Sequence, residues 1–205
     1  MPKLIGQAEH NQIITYKTFL TSESKEKRLV FCQANKRRNW KNVMFSDELV
    51  IQTYKHRLIV WGAITCDEML DLVVIPGRLS RQTYIADILD PVVKPYHASH
   101  PNMVFQQDNA GPHRANAVDR WFVANGIQKL TWPTTSSDLN IIENIWQILK
   151  EEIGDLSRIE RNQCDRLVND AWDRIRTTRP QLLQQLYRSM KSRVNTRIRK
   201  KGGHV

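Results

Sequence analysis

The stretch MVFQQDNAGPHRANAVDRWFVANGIQKLTW, residues 103–132, alternates between strand and helix patterns. Residues 103–106 form an apolar run of strand length, and residues 127–132 form another. A helix is predicted between them because its apolar residues recur on one face: Ala117, Val118, Trp121 and Phe122. Gly126 follows at a position that suits the end of a helix. Strand, helix and strand in this order predict a crossover unit within an α/β sheet.

The flanking sequence extends the pattern in both directions. Strand-length apolar runs occupy residues 43–46, 49–54, 58–65 and 70–75, and a helix is predicted after Ser80. Upstream, residues 22–36 resemble a charged helix that ends in a basic run. Beyond Pro133 three amphipathic helices are predicted, the last of them ending near residue 200. The order predicts a mixed sheet covered by helices, with residues 127–132 as its fifth core strand.

Composition limits the possible partners and compartments. Lys and Arg number 31 against 21 Asp and Glu, which gives a net charge of +10 and a pI near 9.7. This surplus favours nucleic acid as a partner, although basic surfaces also serve solubility or bind acidic proteins. Cys32, Cys66 and Cys164 lie far apart, which predicts neither a zinc module nor a disulfide framework and suits a reducing compartment. With no apolar run of about 20 residues and no hydrophobic signal core, we expect an intracellular protein outside the membrane.

Three acidic residues stand where the predicted structure changes type. Asp47 ends the run 43–46, Asp108 follows the run 103–106, and Glu143 lies in the first turn of a predicted helix. Strand ends and helix starts converge at ligand sites in such sheets. Magnesium prefers carboxylate and phosphate oxygens, and two ions about 3.5–4 Å apart can activate an attacking oxygen and stabilise a leaving one. Because close carboxylates repel each other, by about 4 kcal/mol at 4 Å and a dielectric of 20, stability alone explains such a cluster poorly.

Each acid also has an ordinary structural explanation. Asp47 and Glu48 could be turn residues after a strand, and Asp108 could build a turn with the Asn and Gly-Pro that follow it. Glu143 would occupy the capping-box position of its helix if Asn140 is the N-cap. Asp138 could be a competing cap or a competing ligand. The residues alone therefore make a three-carboxylate site plausible without requiring it.

Four motifs closely resemble the catalytic domain of the mariner superfamily of cut-and-paste transposases, Tc-type branch. They are WKNVMFSDE at 40–48, VWGA at 60–63, FQQDNAGPH at 105–113 and SDLNIIENIW at 137–146, and LYRSM at 186–190 with KGGH at 201–204 resembles that branch's C-terminus. The 34 residues between Asp108 and Glu143 match its spacing. The resemblance implies an RNase H-like α/β fold, in which a mixed five-stranded sheet is flanked by helices and followed by a helical C-terminal extension. It divides the chain into a lead with a charged helix, 1–38, and a catalytic domain, 39–205.

The same resemblance implies a chemistry. Asp47, Asp108 and Glu143 carry over as the catalytic, metal-binding triad, with Mg²⁺ or Mn²⁺, two ions in all, as cofactor. The implied reaction is hydrolytic nicking at transposon ends, followed by attack of the freed 3′-hydroxyl on target DNA in the nucleus by a homodimer. Asn109 and His113, beside the second Asp, are expected to shape the site or to brace its loop. The cations Arg193, Arg197, Arg199, Lys200 and Lys201 are candidates for contacts with DNA phosphates, for a nuclear-localisation patch or for a solvated helix face.

Three differences from the family pattern favour an alternative. The sequence does not contain the paired helix-turn-helix modules with which the family reads its terminal repeats, so we expect no sequence-specific end recognition from these residues. The segment 49–58 is shorter than usual, and Ser137 and Ile141 replace the motif's two prolines, one of which favours a helix start. A truncated or domesticated, catalytically weak derivative that binds DNA non-specifically is therefore the second hypothesis. A structure-selective nuclease on the same fold is the third.

Overall fold

The computed structural model describes residues 20–53, 56–156 and 158–204. Four strands form its sheet: β1 (Val43–Gln52), β2 (Arg57–Ile64), β3 (Val73–Ile75) and β4 (Val104–Gln106). Their spatial order is β3-β2-β1-β4. The first three strands are antiparallel neighbours and β4 lies parallel to β1, so the predicted mixed sheet is confirmed.

The helices are α1 (Ser22–Ala34), α2 (Arg81–Thr83), α3 (Lys94–Ser99), α4 (Asn116–Ala124), α5 (Ile142–Ile153), α6 (Arg161–Thr178) and α7 (Leu182–Arg199). Between α2 and α3 the helix continues through Tyr84–Val93 with wider, π-type turns. Pro91 lies in this segment, and since proline has no amide hydrogen to donate, an ordinary helical ladder cannot run through it. The predicted charged N-terminal helix and helical C-terminal region are both present, whereas residues 1–19 of the predicted lead lie outside the described residues.

Helices cover both faces of the sheet because β1 and β2 are apolar on both sides. One face carries Val43, Phe45 and Leu49 against α1, α5, α6 and α7. The other carries Met44 and Trp61 against the α2–α3 helix and α4. Gly62 of β2 lets two helices pack closely on the sheet, since a Cβ there would stand 2.6 Å from the Trp146 ring and 2.9 Å from the Trp172 ring. The result is a three-layer α/β/α arrangement.

Two details of the predicted sheet were wrong. Residues 43–46 and 49–54 are not separate strands, because β1 continues through both as far as Gln52 and pairs with β2 from Phe45 onwards. The expected fifth strand at 127–132 is reduced to a bridge, in which Lys129 lies opposite Phe105. Its two backbone hydrogen bonds, from Phe105 to Gln128 and from Leu130 to Phe105, are all that the three-residue β4 can offer there. None of the described helices is long and apolar enough to cross a membrane.

Candidate active site

The pairing of β1 with β4 brings Asp47 and Asp108 to neighbouring positions. Phe45 of β1 lies opposite Gln106, the last residue of β4. Asp47 and Asp108 are each two residues further along the chain. The same parallel register therefore places them side by side, where β4 ends. Asp47 therefore lies within β1, opposite Gly62 of β2, and the expectation that it ends its strand was wrong.

Glu143 reaches the same place from α5, which packs on β1. It is the second residue of α5, and Asn140, just before the helix, donates from Nδ2 to the Ser46 carbonyl at 3.1 Å and to Asp47 Oδ2 at 3.5 Å. The same Asn140 side chain accepts from the Ile142 amide through Oδ1, at 3.3 Å. The backbone amide of Asn140 donates to the Ser137 carbonyl and not to Glu143, so the predicted capping box is not formed.

The negative charges of the neighbouring acids act on the Asp47 carboxyl. Burial, then the negative charges of Glu143, Glu48 and Asp108, raise the pKa of the Asp47 carboxyl well above its usual value. Burial also raises the pKa of Glu143. The charge of Lys150 and a hydrogen bond with Asp47 lower this pKa, but their effect is smaller. The carboxylates of Asp47 on β1, Asp108 just after β4 and Glu143 on α5 thus influence one another electrostatically. The side chain of Asp108 is 48% exposed, so the cluster opens to solvent.

A second part of the site lies on the opposite face of β1, where Glu48 points. The His113 imidazole stands between two carboxylates, with Nδ1 2.7 Å from Asp108 Oδ1 and Nε2 3.1 Å from Glu48 Oε1. Burial alone would lower the pKa of His113, but hydrogen bonds to both acids raise it to about 9. Since His113 is then protonated at neutral pH, a buried imidazolium joins Asp108 to Glu48. These three side chains each offer a ligand atom, and the atoms lie within 4.8 Å of one another.

The loop after β4 is fixed by its own polar contacts. Asp108 Oδ1 also accepts from the Ala110 amide at 2.8 Å, and together with the His113 contact this outweighs burial and lowers the pKa of Asp108. Asn109 donates from Nδ2 to the Trp132 carbonyl at 2.9 Å, which is the loop-bracing contact considered for it. Beside Asp108 a cleft of about 480 Å³ opens, lined also by Arg114.

Sequence reasoning did not assign Glu48 any part in the site. Two adjacent acids looked like a turn, but in a continuous strand they point to opposite faces. Asp47 then faces α5 and Glu48 faces His113. A strand extended through residues 47–48 would have been the signal for this arrangement.

Asp138 is neither a cap nor part of the carboxylate cluster. It accepts two hydrogen bonds from the buried Arg28 guanidinium, at 2.8 and 2.7 Å, and one from Arg197 Nε at 2.8 Å. Its partner Arg197 is only 4% exposed, so the expectation that Arg197 contacts DNA phosphate does not fit its position. Arg193 likewise donates to the Asp138 carbonyl and to Asn144 Oδ1. The other predicted phosphate contacts are exposed: Arg199, Lys200 and Lys201.

Comparison with known proteins gives a consistent set of similarities. A family model described as DDE superfamily endonuclease matches residues 32–164. The Tc3 transposase of Caenorhabditis elegans is 29% identical over 91% of this chain and 64% of its own length. The Tcb1 transposase of Caenorhabditis briggsae is 33% identical over 73% of this chain and 55% of its own. The chain thus spans less than two thirds of the length of these relatives.

Solved structures of the Mos1 transposase share the fold. Its catalytic domain with Raltegravir and Mg superposes with a TM-score of 0.76 at 14% identity, over 91% of this chain and 99% of that one. A Mos1 paired end complex with Mn gives a TM-score of 0.77 at 12% identity, over all of this chain and 68% of the other. At such low identity the likeness establishes the RNase H-like fold alone.

Proposed function

This chain belongs to the DDE superfamily endonucleases, and we propose that it is a transposase catalytic domain that cleaves DNA and transfers the cut strand. Asp47, Asp108 and Glu143 are its proposed catalytic residues. The observation that carries the proposal is the convergence of these acids from β1, from the residues after β4 and from the first turn of α5. The charge of each of the other two contributes to the raised pKa of Asp47.

The chemistry of the donors fits a magnesium or manganese site. The cluster offers carboxylate oxygens, the ligands that these hard cations prefer. His113, a buried cation, pairs with Glu48 and Asp108, whereas Asp47 and Glu143 form no ion pair with any described residue. We propose two ions, held by Asp47, Asp108 and Glu143; when bound, they lower the pKa of water and stabilise the leaving oxygen of a phosphodiester. The Mos1 catalytic domain has been solved with Mg and with Mn.

The protein's own groups hold the acids in place. Asn140 positions Asp47 through its amide, and the Ala110 amide together with His113 fixes one oxygen of Asp108. His113 is thus a positioning residue in this proposal, and Asn109 braces the loop that carries Asp108. The second oxygen of Asp108 accepts no hydrogen bond from a described residue, which leaves it available for a metal ligand bond.

DNA is the proposed substrate, as transposon ends and as target. Support comes from the net charge of +10 and from the relatives, which are transposases of nematode elements. Arg199, Lys200 and Lys201 remain proposed phosphate contacts because they are exposed on and just after the last turn of α7. A homodimer is proposed by analogy with the Mos1 paired end complexes, and the nucleus by the location of genomic DNA.

The test is nicking of supercoiled plasmid in Mn²⁺ by the wild type and by Asp108→Asn. We expect nicking by the wild type and background levels from the variant. Asp87→Asn, which removes an exposed carboxylate on the helix between α2 and α3, is the matched control and should cleave like the wild type.

A thermal shift by Mn²⁺ provides a second readout that does not depend on turnover. Binding at 100 times the dissociation constant stabilises a folded protein by about 2.7 kcal/mol. We expect this shift in the wild type and its loss in Asp108→Asn. If the wild type binds DNA but shows neither cleavage nor a Mn²⁺ shift, the catalytically weak DNA-binding derivative is the correct reading.

A further inference from the structure

A cleft of about 860 Å³ lies at the end of the sheet where β1 and β4 begin. The turn Trp40–Asn42 precedes β1 and forms one wall, and residues 99–103 precede β4 and form another. Cys66 and Asp67, just after β2, and the outer face of α7 close it. We propose that this basal cleft binds the sugar-phosphate backbone of double-stranded DNA.

The basal cleft is well separated from the carboxylates. Val43 begins β1 directly after the turn that lines the cleft, and Asp47 is four residues further along this extended strand, which corresponds to about 13 Å at roughly 3.3 Å per residue. Asp108 follows the end of β4, which runs parallel to β1, so it lies at the far end of the sheet as well. The cleft is therefore a second surface, and binding there needs no metal.

Charge determines the kind of ligand. Four cationic side chains line the cleft, Arg38, Lys41, Arg188 and Lys191, against a single carboxylate, Asp67. Within the described ranges, none of these four cations forms an ion pair with an acid. The Arg38 guanidinium donates to the neutral Asn35 side chain, and the Asp67 carboxylate accepts from the Cys66 thiol at 2.9 Å. A concave surface with this uncompensated positive charge attracts a polyanion.

The placing of the cations favours a phosphate backbone over stacked bases. Arg188 and Lys191 are one helical turn apart on α7, and Lys41 projects from the turn before β1. The two large aromatic side chains of the cleft, Trp40 and Tyr187, are buried. Tyr187 also donates its hydroxyl hydrogen towards the Val43 and Ile64 carbonyls. Single-strand sites present exposed rings to the bases, whereas the contacts available here are electrostatic and independent of sequence.

The exposed residues Lys36 and Arg37 widen the positive surface. They lie in the turn after α1, next to Arg38. A duplex lying across the cleft mouth could meet this basic turn and α7 together, because the adjoining turn Trp40–Asn42 contacts α7 directly. Duplex DNA presents about one phosphate per 3.4 Å of each strand, so several contacts are available over this surface.

The experiment measures binding of a fluorescent random-sequence duplex in EDTA as a function of salt. All proteins carry Asp108→Asn, so cleavage plays no part. Arg188→Gln/Lys191→Gln should flatten the slope of log affinity against log salt by about 1.8, at roughly 0.9 per lost phosphate contact. At 0.1 M salt this corresponds to an affinity about 60-fold lower, since each contact contributes about 8-fold relative to 1 M.

Arg158→Gln/Arg166→Gln is the matched control. It removes the same two charges at exposed positions outside the cleft, near and within α6, and should leave the slope unchanged. Circular dichroism and thermal melting verify that both double variants are folded. The proposal is overturned if both double variants lose DNA affinity equally, or if the cleft variant loses none. Binding of polyglutamate but not of DNA would overturn it in favour of an acidic protein partner. If the protein with Asp108 intact fails to nick plasmid while the cleft variant still loses DNA affinity, the proposed catalysis fails and this inference stands.

Discussion

Asp138→Asn is expected to destabilise the folded protein strongly. The Asp138 carboxylate is 21% exposed, and its partners Arg28 and Arg197 are 0% and 4% exposed. Removing its charge leaves two buried guanidinium groups without a counter-ion. Breaking a buried pair in this way costs about 3–5 kcal/mol, because the remaining charge stays desolvated. The Asn side chain keeps the shape, so lost packing does not explain the effect.

Urea unfolding, followed by circular dichroism, measures this cost. With an m-value of about 3 kcal/mol/M, the midpoint should fall by about 1–1.7 M. Asp173→Asn is the control, since Asp173 pairs with Arg176 on the surface and such exposed pairs contribute about 0–1 kcal/mol. If the two substitutions cost the same, the buried network does not stabilise the fold and the reasoning is refuted.

The same pair of proteins has a defined pH dependence. Burial alone would raise the pKa of Asp138, but the hydrogen bonds and charge of Arg28, with the charge of Arg197, lower it. A carboxyl whose pKa is lower in the folded state stabilises the protein above its unfolded pKa, about 3.9 for Asp, and loses that contribution as the pH falls through the folded value. The difference in the free energy of unfolding between wild type and Asp138→Asn should thus stay constant from about pH 5 to 8 and shrink below about pH 4. A gap that persists in acid would mean that the charge of Asp138 is not its cause.

Two further substitutions test the packing and the carboxylate cluster. Gly62→Ala should lower the free energy of unfolding by about 1–3 kcal/mol, because the new methyl group meets the rings of Trp146 and Trp172, whereas Gly111→Ala, with no atom within 4 Å, should melt like the wild type. Asp47→Asn should abolish Mn²⁺-dependent nicking and yet raise the melting temperature in EDTA, because burial and the charges of Glu143 and Glu48 disfavour the ionised carboxyl. A melting temperature below that of the wild type in EDTA would contradict the second expectation.

Amphipathic spacing and family motifs predicted most of the fold, while features set by distant partners escaped them. The helical stripes after Pro133 are local patterns, and α5, α6 and α7 follow them. The continuity of β1 is not local, since the polar pair Asp47-Glu48 interrupts the apolar run and only pairing with β2 holds it extended. The bridge at Lys129 is short because β4 offers three residues, which no feature of 127–132 reveals.

The candidate site shows the same division. Asp108 and Glu143 could be expected from a strand end and a helix start, whereas Asp47 lies within β1 and was indicated by the flanking motif alone. The contact of His113 with Glu48 could not, because 65 residues separate them and the meeting depends on which face of β1 each acid takes. Arg197 looked like a solvated tail cation, and its burial depends on Asp138, 59 residues earlier. Sequence spacing gives no measure of such long-range pairing.

The contact between α1 and the residues after α7 also suggests how the connectivity of the chain could be changed. Arg28 Nε donates to the Gly202 carbonyl at 2.8 Å, and Gly202 packs directly on the backbone of Lys25. The first turns of α1 and the residues just after α7 therefore lie close together. A circular permutant could join them with a short linker and open the chain at the exposed turn around Gly77, where a Cβ would meet nothing within 4 Å. Such a protein would keep the sheet order and the carboxylate cluster while moving the new ends to the β3 edge.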